Sequence, residues 1–80
     1  MDLIKLIWDF KGQDAQKIAE HHQIHLNQFV NYEKLNIKIT GVDFRNELHS
    51  IAFLVVEKKD MILVRDALKP HRGEVYSDKM

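Results

Sequence analysis

Three histidines crowd the stretch AEHHQIHLNQF, residues 19–29: His21, His22 and His25. Imidazole titrates near neutrality and is also a ready metal ligand, so such a run can transfer protons, hold a cation or simply pack. His21 and His25 have the i,i+4 spacing that brings two rings to one helical face, where both can reach one metal ion. The Glu of the H-E-x-x-H zinc-protease pattern is absent, because His22 stands in its place. On a helical wheel with His22 at the origin, Ala15, Ile18, Ala19, Leu26 and Phe29 all lie within about 60° of it. His25 is on the shoulder of that stripe, and His21 lies further round on the same side. His22 and His25 are therefore expected to look into the space between helix and sheet, as groups for acid/base work or ligand recognition. Three uses stay open: a neutral core histidine, an acid/base pair of His22 and His25, and a metal pair of His21 and His25.

An acid/base role needs a carboxylate partner. Asp9, which follows Trp8 near the end of the first strand-like run, is one candidate; Asp43 and Asp66 are others, and which of them partners His22 stays open. A solvated charge at an element end is the simpler account of each. Trp8 is in phase with Ile4, Leu6 and Phe10, which makes it core rather than a ligand-stacking ring. The segment KPHRG, residues 69–73, gathers positive groups near a helix C-terminus, where the helix dipole favours them.

The elements that must position these residues follow from periodicity. LIKLIWDF alternates with period two, so Ile4, Leu6, Trp8 and Phe10 share one face and Leu3, Lys5, Ile7 and Asp9 the other. Gly12 breaks the strand, Asp14 or Gln13 can begin a helix, and the spacing predicts that this helix runs from Asp14 to about Leu35. NIKITGVDF reads as a second strand with Gly41 marking a bulge or a close backbone approach. RNELHS reads as a polar connection. IAFLVV, residues 51–56, is apolar throughout and suits a strand covered on both faces. Asp60 can cap a second helix that Pro70 stops, and RGEVYSD offers a last short strand.

The order β-α-β-β-α-β is the split pattern of ferredoxin-like folds: an α+β sandwich with a four-stranded antiparallel sheet and both helices on one face. Residues 1–80 form one domain, without repeats or linkers. Its second sheet face is left bare, and a second copy is the economical cover, which predicts a homodimer whose stability depends on pH through its histidines. Twelve Lys and Arg balance twelve Asp and Glu, so no net field would hold a polyanion or an anionic membrane. Nucleic acid is not an expected partner: the third strand carries only Phe53 as an aromatic. There is no cysteine, which removes disulfides and thiolate chemistry. No apolar run reaches the length of a membrane span, and no signal-type leader opens the chain, so a cytoplasmic protein is expected. Nothing calls for a cofactor.

With IWDF closing the first strand, EHHQIHL on the first helix and a two-sided third strand, the chain resembles the dimeric α+β barrel superfamily. Within it the YCII-like proteins are the nearest type, with His22, His25 and Leu26 matching an H-x-x-H-L stretch. The resemblance implies a homodimer with a cleft between helix and sheet in each protomer, and a His and Asp pair there. The D-P-F segment of that family is missing; VRDALKPHRG stands in its place, so Asp66 does not take over the family's aspartate. Two functions follow as expectations. One is small-molecule binding in the helix–sheet cleft with His-assisted proton transfer. The other is a non-catalytic regulatory or assembly module acting through its sheet face. The residues leave open whether the chain is an enzyme.

Overall fold

A computed structural model describes residues 2–37 and 39–76. The chain order is β1 (Leu3–Lys11), α1 (Ala15–Glu33), β2 (Ile39–Asn46), β3 (His49–Glu57), a single 3₁₀ turn (Lys58–Asp60), α2 (Met61–Leu68) and β4 (Arg72–Tyr76). The strands form one antiparallel sheet in the order β2-β3-β1-β4, the arrangement of a ferredoxin-like fold. Leu6 and Trp8 of β1 pack with Ala52, Leu54 and Val56 of β3, with Ala19, Leu26 and Val30 of α1, and with Val64 of α2. Both helices thus share one core on one face of the sheet. Trp8 is in it as expected, and its indole N–H donates to the Leu68 carbonyl at 2.9 Å, tying β1 to the end of α2.

Several local expectations are revised. The buried residues of α1 are Ala15, Ala19, Leu26 and Val30, so the core-facing direction lies roughly 50° from His22 on the side away from His25. Ile18, inside the expected stripe, is consequently exposed. RNELHS is not a polar connection: β2 runs to Asn46 and β3 begins at His49, leaving a two-residue turn at Glu47 and Leu48. Gly41 makes no bulge. It pairs in register with Phe53, whose ring lies on it so closely that a Cβ would sit 2.6 Å from Cζ. The irregularity falls instead between Phe44 and Asn46. Of the last strand, Ser77 and Asp78 lie outside the described residues. Gly12 has φ +113°, a conformation only glycine adopts readily, and its N–H donates to the Leu48 carbonyl, fastening the β1–α1 turn to the β2–β3 hairpin.

Ile7, Ile51 and Val55 on the other sheet face are fully buried within the single chain. Their neighbours do the covering. Phe53 spreads over Gly41, and the Lys5 ammonium sits 4.4 Å from the Phe53 ring centre. Asp9, His49 and Arg72 close the other end. The apolar third strand is therefore two-sided without a second copy, which removes the argument by which the bare face required a homodimer.

Candidate functional site

All five histidines, though scattered from position 21 to position 71, lie on segments that meet near the end of β1. The pairings show why. Phe10 of β1 faces Ser50 of β3, Lys11 faces His49, and β4 begins beside Ile7. The two faces of the sheet then receive different sets of groups.

On the open face, Asp9 is the centre. Its Oδ1 accepts from the His49 ring Nε2 at 2.9 Å and from Arg72 Nη2 at 3.3 Å, and its Oδ2 accepts from Arg72 Nε at 3.0 Å. The Asp9 side chain is 20% exposed and that of His49 26%, so water is thinned but not excluded. The Arg72 guanidinium, outweighing the opposing effect of burial and helped by His49, lowers the Asp9 pKa to about 2. Asp9 is thus a permanent anion at neutral pH, holding a ring nitrogen of His49 as a charge-assisted donor. The backbone is engaged as well. The β1–β4 ladder ends with His71 N–H donating to the Ile7 carbonyl, and the next N–H of β1, that of Asp9, donates to the His71 ring Nδ1 at 2.8 Å. Accepting that bond puts the proton of a neutral His71 on Nε2. On β2, Asp43 shares this face and pairs with Arg45 at 3.3 Å.

On the helix side, His22 packs against Trp8 and Phe10, with ring centres 5.0 and 5.4 Å apart, and Phe10 also meets the His71 ring edge-on at 6.3 Å. The His22 Nε2 is buried and finds no hydrogen-bond partner among the described residues; Ser50 Oγ, beside Phe10, is in the same position. Burial lowers the His22 pKa, and the nearby His25, His71 and His21 push in the same direction. His22 is accordingly a neutral ring in an aromatic setting.

The expected groupings are redistributed. Asp9 stands on the opposite face of β1 from Trp8 and Phe10, so it partners His49 rather than His22. His25 is exposed and meets His21, their Nε2 atoms 3.1 Å apart, instead of joining His22 between helix and sheet. Asp66 is exposed beside Arg65. His49 is the site residue that the sequence does not announce, while His71 and Arg72 belong to KPHRG, expected only as positive groups at a helix end. The signal for His49 was parity: it lies two and four residues before Ile51 and Phe53, on their face, once the strand is extended back through the supposed connection. A helix–sheet groove does exist, but elsewhere. It has a volume of about 430 Å³ and runs between α2 and β4, lined by the apolar Ile4, Leu6, Met61, Pro70 and Val75 together with the charged Arg65, Arg72 and Glu74. No histidine lines it, although Pro70 and Arg72, which do, flank His71 in the sequence.

Comparison with family models, curated proteins and solved structures returns no match. The architecture is that of a ferredoxin-like α+β fold, and the YCII-like relationship gains no support from these comparisons. No helix among the described residues is long and apolar enough to cross a membrane.

Proposed function

We propose that the chain is a small cytoplasmic protein that binds a small molecule against the open sheet face, with His49 as the group that moves a proton. The observation behind this reading is the Asp9 carboxylate clamped between Arg72 and His49, three residues contributed by three different strands. An ionised carboxylate holding one imidazole nitrogen fixes the ring's orientation and leaves the other nitrogen, Nδ1, as the proton-transfer atom. Rigid strands hold these groups better than loops would. The α2–β4 groove is a poorer seat for this chemistry, because its lining is mostly apolar and includes no imidazole. A fragment screen read by amide and histidine ring NMR shifts tests the proposal. Ligands are expected to perturb Asp9 and His49, the members of the cluster that do not line the groove, and to lose that effect in His49→Gln. Ligand shifts confined to the α2–β4 groove, in both proteins alike, would rule it out.

A second reading, an assembly module, is favoured by one specific feature. Val75, in the lining of the groove, is 80% exposed, and α2 exposes Ile62 and Leu63. Exposed apolar side chains on α2 and β4 are what an association surface through these two elements would use. On this reading the homodimer forms through the α2–β4 edge and not through the open face. Light scattering would then show a dimer that Val75→Asp converts to monomer; a wild-type monomer at all concentrations would eliminate it.

A further inference from the structure

The exposed side of α1 carries two histidines that take no part in the Asp9 cluster. His21 and His25 stand one helical turn apart, with rings edge-on, centres 4.7 Å apart and Nε2 atoms 3.1 Å apart. Two imidazole nitrogens bound to one tetrahedral zinc ion at about 2.0–2.1 Å must lie roughly 3.3 Å from each other. The pair therefore already has the separation that chelation requires, and both nitrogens of the approach are Nε2, the atoms at the outer ends of the rings. The helix around them is also permissive. From Ile18 to Glu33 α1 has no Lys or Arg, while Glu20 and Glu33 are its only formal charges; Lys17, one turn before His21, is the nearest basic residue on the helix.

We propose that His21 and His25 form a two-imidazole clamp for a late first-row divalent cation such as zinc, nickel or copper(II). The lone pairs of the two Nε2 atoms are the donors, and each ring then carries its proton on Nδ1. Among the described residues no third His, Cys, Asp or Glu joins the pair, so the remaining coordination positions belong to water or to a donor atom from another molecule. A site of two neutral imidazoles ranks ions by the general order of divalent affinity, copper(II) above nickel and zinc. The clamp is independent of the open-face reading, since neither Asp9 nor His49 contributes to it.

The test uses the full chain without an affinity tag, titrated to one equivalent with zinc, nickel or copper(II). Binding is followed by calorimetry for each ion and, for zinc, by side-chain ¹⁵N spectra of the five histidines. The expected result is one ion per chain, zinc-dependent shifts at Nε2 of His21 and His25, and tightest binding of copper(II). His21→Ala and His25→Ala each abolish the zinc shift, while His49→Gln leaves it intact. Both alanine variants lie on exposed helix surface, where alanine is the best helix former, so they retain the fold. Zinc shifts confined to His49 or His71, binding that survives in the double alanine variant, or no histidine shift at one equivalent would overturn the proposal.

Discussion

Asp9 and His22 occupy neighbouring positions in space on opposite faces of the sheet, and their protonation pulls stability in ways that can be separated by pH. The Asp9 pKa is lowered in the folded chain to about 2. The unfolded chain therefore takes up the proton first on acidification. The stabilisation is complete above the ordinary value of 3.8 and is lost as pH falls through about 2. Solvent access reduces its size to about 1 kcal/mol. Asp9→Asn should show a flatter acid limb than wild type in thermal melts across this window; parallel acid limbs would detach Asp9 from the effect. His22 acts at higher pH. Its pKa is lowered chiefly by burial from the usual 6.5, so protonation again favours the unfolded chain, and stability present above 6.5 declines as pH drops below it. In buffer with chelator, the thermal midpoint of wild type should fall between about pH 7.5 and about pH 5.5, and that of His22→Gln should fall less. Equal declines would place the responsible proton on another histidine.

At the scale of elements, the strands were legible in the sequence because each carries its own pattern: LIKLIWDF alternates, and IAFLVV is apolar at every position over a length that suits a strand buried on both faces. The rotation of α1 about its axis was not. Ile18 and Phe29 drew the expected stripe toward His25, whereas the sheet accepts the side bearing Ala19, Leu26 and Val30. Which shoulder of an amphipathic helix is covered depends on the partner strands, and β2 was too uncertain in phase to say. The same limitation hid the site. RNELHS is polar because Arg45 and Asn46 face solvent and His49 faces the ionic cluster, with Ser50 alone turned into the core, and a polar strand end resembles a loop when its pairing is unknown. Helix ends were legible to within two residues although no glycine marks them, Lys34 and Lys69 adopting the left-handed conformation there instead. Gly41 is the position where element geometry makes a sharp prediction. Gly41→Ala must displace the Phe53 ring and is expected to cost about 1–2 kcal/mol in urea unfolding. In a Phe53→Leu background the penalty should shrink, and an unchanged penalty would show that backbone strain, not the ring, sets it.

For the whole molecule, the architecture follows from how little chain there is. Eighty residues give one sheet and one helical layer, and such a domain buries a modest share of its surface. Its second sheet face is roofed by its own long side chains, Lys5, Phe53, His49 and Arg72, in place of another layer. α2, at eight residues, is too short to cover β4, which is why apolar surface remains there. The position of Asp9 adds a connection across this thin structure. Its carboxylate answers to Arg72 and His49 on one side, while its amide proton is held by His71, whose ring rests against Phe10 on the other, with His22 next in line. One residue thus works as a crank through the thickness of the sheet. A change at the carboxylate is therefore expected to be felt by the His71, Phe10 and His22 rings through this chain of contacts, without a moving helix. The His22 ring resonances should therefore shift in Asp9→Asn, and silence there would mean that the crank is disengaged.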